Sequence, residues 1–175
     1  MGDYEETNKT IEKCKQRSLK ILGSRQMSTH EMQKRLVQKG ETEENAKETV
    51  KWLETIGAIN DIDFAEAIVR YYINKGYGIV RVKDELYKRG IHRDLWDDAL
   101  TVADQSETDD AVIMFLDRKL RGSRDRDDVR KSTEALCRRG FSYEEARMAV
   151  TRYLENAGNT ERTEQAGVRL HDGER

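Results

Sequence analysis

Three short stretches of this 175-residue chain carry the same chemistry fifty residues apart. Leu36-Val37-Gln38-Lys39-Gly40, Leu86-Tyr87-Lys88-Arg89-Gly90 and Leu136-Cys137-Arg138-Arg139-Gly140 each set a leucine, a base and a glycine in register. A fixed period of this length marks a tandem array of supersecondary units. The register extends both ways. Met32, Val82 and Ser132 lie one helical turn before the leucines, and Cys14, Phe64 and Met114 correspond further upstream. Downstream, Ala46/Val50/Leu53, Trp96/Leu100/Ala103 and Ala146/Val150/Tyr153 recur at i, i+4, i+7, the spacing of one apolar helical stripe.

Local punctuation divides each repeat into three helices. The first helices are expected near 11–24, 61–74 and 108–119. The second end at the repeated glycine, which lacks the Cβ that would clash in a left-handed C′ position. Ser28-Thr29-His30-Glu31 reads as a capping box opening the second helix of repeat one, and Ser142-Tyr143-Glu144-Glu145 as one opening the third helix of repeat three. The chain has no proline to interrupt helices, and 38% charged against 7% aromatic residues suits thin helices with wet outer faces. The expected fold is all-α, an elongated array of three tandem three-helix repeats. Its parts are an N-terminal extension (1–10), repeats at 11–58, 59–105 and 106–156, and a disordered tail at 157–175, where apolar content falls away.

Several classes drop out. No apolar run reaches the ~20 residues of a membrane span and no export signal opens the chain, so a cytoplasmic protein is expected. Two distant cysteines do not form a disulfide framework. His30, His92 and His171 lie far apart with no zinc-ligand spacing. There is no nucleophile elbow or phosphate loop, and adjacent acids such as Asp97-Asp98 diverge on a helix. No enzyme activity, metal or cofactor is expected.

The order of motifs is more specific than any one of them. Ser28-x-x-Glu31-x4-Leu36-x3-Gly40, Ile59-Asn60-Asp61-x-x-Phe64-Ala65, Gly76-Tyr77-Gly78-x-x-Arg81-x4-Leu86-x3-Gly90-Ile91 and Arg139-Gly140-Phe141-Ser142 closely resemble the RecX family of bacterial recombination regulators, from about Leu19 to Leu154. The resemblance implies tandem three-helix repeats that bind the RecA filament along its groove and inhibit it, with consequences for recombination, DNA repair and the SOS response. It implies a monomer whose partner is the RecA filament, with single-stranded or duplex DNA as a further direct contact.

Charge segregation bears on the same question independently. Between Lys75 and Arg93 six bases face only Asp84 and Glu85, and between Arg118 and Arg139 nine bases face four acids, whereas Asp94 to Asp110 holds seven acids and no base. One set of surfaces can therefore attract negative groups while another repels them. Candidate contacts to RecA or DNA are Arg81, Lys83, Lys88, Arg89, Arg93, Arg124, Arg126, Arg130, Arg138 and Arg139. Ordinary solvation of exposed helix faces accounts for many such bases equally well. Trp52, Trp96, Tyr72 and Phe115 read as core residues, while Tyr77 sits in a glycine turn beside Arg81. Two other classes stay open: a helix-turn-helix transcription factor and a helical scaffold for unrelated proteins.

Overall fold

A computed structural model describes the backbone of residues 2–103 and 105–171, and side chains from 10 to 157 except at 104, 105 and 107. Among the described residues there are nine α-helices and no strands: α1 (Gly2–Leu22), α2 (Thr29–Gln38), α3 (Glu43–Thr55), α4 (Asp61–Asn74), α5 (Ile79–Lys88), α6 (Trp96–Leu100), α7 (Gln105–Leu120), α8 (Arg126–Arg138) and α9 (Tyr143–His171). A 3-10 turn, Arg93–Leu95, leads into α6. Three helices per fifty residues is the repeat expected from the sequence.

The caps explain where helices start. Ser28 accepts from the Glu31 amide at 3.0 Å and opens α2. At α9 the box is reciprocal: the Ser142 amide donates to the Glu145 carboxylate at 2.7 Å and the Glu145 amide to the Ser142 hydroxyl at 3.2 Å. These bonds hold the Glu145 carboxyl below its usual range. The ends follow the glycines, with φ of +92°, +68° and +93° at Gly40, Gly90 and Gly140.

The chain divides into two compact units, Met1–Arg70 with Lys83–Val102 and Tyr71–Val82 with Ala103–Arg175. In the first, α1, α2 and α3 pack on one another. They enclose Cys14, Met27, Met32, Leu36, Ala46, Val50, Leu53 and Ile59, with Val37 and Trp52 lying half-buried against them. In the second, α7, α8 and α9 enclose Val112, Leu116, Leu120, Leu136, Ala146, Val150 and Tyr153. Leu36, Leu86 and Leu136 are all fully buried, as their shared register requires. Tyr153 sits in its core with its hydroxyl donating to Asp117 at 3.0 Å, and burial is the main cause that pushes this phenol up.

The structure corrects three details. Met114 does not match Cys14 and is 64% exposed, while Val112, Leu116 and Leu120 face the core instead. The reason is α8, which has thirteen residues where α2 and α5 have ten. Its extra N-terminal turn is opened by Asp125, which accepts from the Asp127 and Asp128 amides, so everything upstream slips in register. Second, the stripe Trp96/Leu100/Ala103 does not belong to one long helix. α6 stops at Leu100, and Ala99 is its buried residue. Third, α1 starts at Gly2 and α9 runs to His171, so helix replaces both the extension at 1–10 and most of the tail assigned to disorder at 157–175. The tail lacks proline and is rich in Glu, Arg, Gln and Ala, which favour helix. Met1 and residues 172–175 lie outside the described residues.

Candidate interaction surface

The ten candidate bases divide by what the fold does with them. Arg89, at the end of α5, is half-buried between Glu31 and Glu85, 3.4 Å from each. Its backbone carbonyl accepts from the Ser28 hydroxyl. Beside it, Asp61 accepts from both the amide (2.8 Å) and hydroxyl (2.7 Å) of Thr29. Arg89 therefore ties the middle repeat to α2.

Arg139, fifty residues on, does related work with different chemistry. Its guanidinium lies 4.1 Å from the Phe115 ring centroid and 4.8 Å from that of Tyr77, within cation–π range of both. It donates to the carbonyls of Lys75 at 2.8 Å and Gly76 at 3.3 Å, and its own carbonyl accepts from the Gly78 amide at 2.9 Å. The Gly76-Tyr77-Gly78 turn is thus a packing seat for an arginine, and Tyr77 is half-buried with Arg139 on its face and Tyr72 at its edge, 5.3 Å between ring centroids. Arg81 is also half-buried, on the first turn of α5, with its Nε enclosed and unpaired.

Other bases are exposed yet engaged. Arg130 pairs with Glu134 at 2.7 Å and Asp127 at 3.7 Å. Arg124 donates to the Leu154 carbonyl at 2.9 Å. Arg93 lies 5.6 Å above the Trp96 ring, and Lys88 is 3.9 Å from Glu85. Lys83, Arg126 and Arg138 stand exposed, with no ion partner among the described residues. Sequence alone marks the basic segments but does not separate internal ties from free charges, because Glu31 lies 58 residues from Arg89.

Among the described residues no group of three His, Cys, Asp or Glu is placed to hold a metal, and no helix is long and apolar enough to cross a membrane. Cys14 and Cys137 are free thiols. Burial raises the Cys14 thiol above its ordinary value.

Comparison with known proteins gives this surface a context. The family model described as RecX, second three-helix domain, matches residues 60–100, which span α4, α5 and α6. The chain is 34% identical over 143 residues to the regulatory protein RecX of Stenotrophomonas maltophilia (strain R551-3), covering 79% of this chain and 85% of that one. With its counterpart in Pseudomonas entomophila it shares 30% over 131 residues, 73% of this chain and 83% of that one. The chain belongs to the RecX family. Its helices also superpose on the crystal structure of RecX from Lactobacillus salivarius, with a TM-score of 0.73 at 25% identity, over 83% of this chain and 96% of that one. It is thus a regulatory protein, not an enzyme, and its tandem three-helix fold is the fold of RecX.

Proposed function

We propose that this RecX-family chain binds, as a monomer without cofactor, in the groove of the RecA filament formed on single-stranded DNA in the cytoplasm, and inhibits the filament's part in recombination and DNA repair. The observation that carries this reading is the match to RecX proteins across about four-fifths of the chain. The free bases add to it. Lys83, Lys88 and Arg93 on one segment, and Arg126 and Arg138 on α8, are exposed cations able to meet negative groups of a filament. Arg89 and Arg139 contribute mainly by holding helices in place, and Arg81, Arg124 and Arg130 are partly committed to their neighbours.

A duplex-reading role suits the chain poorly. The third helices of the first two repeats would bring Glu43 and Glu44, or Asp97 and Asp98, against phosphate.

The test is RecA ATP hydrolysis and filament binding on a single-stranded oligonucleotide, with and without the purified chain. Inhibition is expected, together with loss of affinity as salt rises, and Lys83→Glu with Arg138→Glu should weaken binding and flatten the salt dependence. No effect on RecA, or a duplex preferred more than about a thousandfold over random DNA, would overturn the reading.

A further inference from the structure

The outer face of α5 differs from those of the two helices it repeats. Val37 in α2 and Cys137 in α8 are half-buried against cores that α3 and α9 help to form. Their counterpart in α5 is Tyr87, and it is 69% exposed. The neighbouring third helix explains the difference: α3 has thirteen residues, whereas α6 has five. Val80, 61% exposed, lies two turns back on the same helix face as Tyr87, with Lys83 and Asp84 exposed between them. The equivalent of Val80 is His30 in α2 and Arg130 in α8, so an apolar residue here is peculiar to the middle repeat.

We propose that Val80 and Tyr87 are the apolar anchors of a protein-docking stripe, with Lys83 as its attractive charge, and that the occupant is an acid-rimmed apolar patch on a RecA protomer, not DNA. This rests on the function proposed above. Three features favour protein over nucleic acid. Val80 has no π face on which a base could stack. The Asp84 carboxylate stands in the middle of the stripe, where it would repel phosphate. A large, stiff ring with a polar tip beside an aliphatic residue is the usual make-up of an interface anchor, and lysine at its edge supplies steering. Lys88 leans towards Glu85, which leaves Lys83 as the more available cation of this face.

The test uses the full-length chain, RecA filaments on an oligo-dT strand, and the free strand alone. Tyr87→Ala should lower filament affinity at least ~10-fold, mainly through faster dissociation and with an unchanged salt slope. Tyr87→Phe should stay close to wild type. Lys83→Glu should act oppositely, slowing association and flattening the salt slope. Binding to the free strand should be the same for wild type and Tyr87→Ala. Folded Tyr87→Ala that binds filaments as wild type does would overturn this assignment and leave the proposed function standing. Parallel loss of free-strand binding would replace the protein contact by a nucleic-acid one. A wild-type chain that ignores filaments would overturn both.

Discussion

Placing a single methyl group at Gly78 tests the packing between the α4–α5 turn and the end of α8. Gly78 has no left-handed φ, so alanine is conformationally acceptable there and the cost comes from contact alone. Its Cβ would fall 2.2 Å from the Gly140 oxygen, 2.4 Å from the Gly140 carbonyl carbon and 2.7 Å from the Phe141 nitrogen. All three are backbone atoms and cannot swing aside. Reaching an ordinary separation of 3.4 Å means opening the joint by more than 1 Å, which breaks the 2.9 Å bond from the Gly78 amide to the Arg139 carbonyl and draws the guanidinium off Phe115. Overpacking of this kind costs about 1–3 kcal/mol. A buried amide left without its partner costs about 1–3 kcal/mol more, partly the same energy counted again. Gly78→Ala should therefore destabilise by about 2–4 kcal/mol.

Gly40→Ala is the control, since Gly40 has φ +92° but nothing within 4 Å of a Cβ. Its cost should be only the ~1–2 kcal/mol of a left-handed non-glycine residue. Urea unfolding followed by far-UV circular dichroism gives both values, and hydrogen exchange in α8 and α9 locates the first. A Gly78→Ala protein as stable as Gly40→Ala would refute the close approach.

Three further outcomes are expected. Leu36→Ala and Leu136→Ala, at fully buried sites in separate cores, should each cost about 2–5 kcal/mol in denaturant unfolding, whereas Met114→Ala at its exposed site should cost little. Glu145 titrates below its ordinary value in the folded chain because of its bonds to Ser142, so its contribution is present above the unfolded carboxyl pKa and fades as pH falls through the folded one; Glu145→Gln should flatten the acid limb of the stability–pH curve. Cys14, buried and with a raised thiol pKa, should react with a thiol reagent only as fast as the chain opens, and labelling in the native state at the rate of a free cysteine would contradict its place in the core.

The repeat architecture is legible because two independent signals coincide at each copy: a leucine that needs burial and a glycine that needs a left-handed turn. The departures arise where a copy changes length. Asp125 starts α8 a turn early, and the stripe Val112, Leu116, Leu120 is the sequence trace of that slip, in competition with Met114. The truncation of α6 has a weaker signal, the run of acids and the lack of strong apolar residues after Leu100. On the surface, an excess of charge is visible in one dimension but its employment is not. Arg89 and Arg139 look like free cations along the chain, and only the fold brings Glu31 to the first and Phe115 to the second. Tyr87 is hidden for the opposite reason: it lies inside the repeated motif, where its counterparts are covered.

The fifty-residue period also records a contact. Ser28 and Gly78 stand at the N-terminal ends of α2 and α5, and Arg89 and Arg139 at the C-terminal ends of α5 and α8, each pair fifty residues apart. In the first compact unit the Ser28 hydroxyl donates to the Arg89 carbonyl; in the second the Gly78 amide donates to the Arg139 carbonyl. At both joints the adjacent glycine is pressed against the preceding second helix. A Cβ on Gly90 would lie 2.4 Å from the His30 ring, and one on Gly140 would lie 2.5 Å from the Arg81 nitrogen. Glycine is thus required twice over at 90 and 140, for its φ and for its missing side chain. Because the joints hold tighter than the repeat boundaries, the compact units are cut through the middle repeat, at 70/71 and 82/83. Gly40 is the first copy and has no second helix before it, so its surroundings are open and only the φ requirement remains. The conformational glycine therefore belongs to every repeat, whereas the contact glycine belongs only to a repeat that follows another.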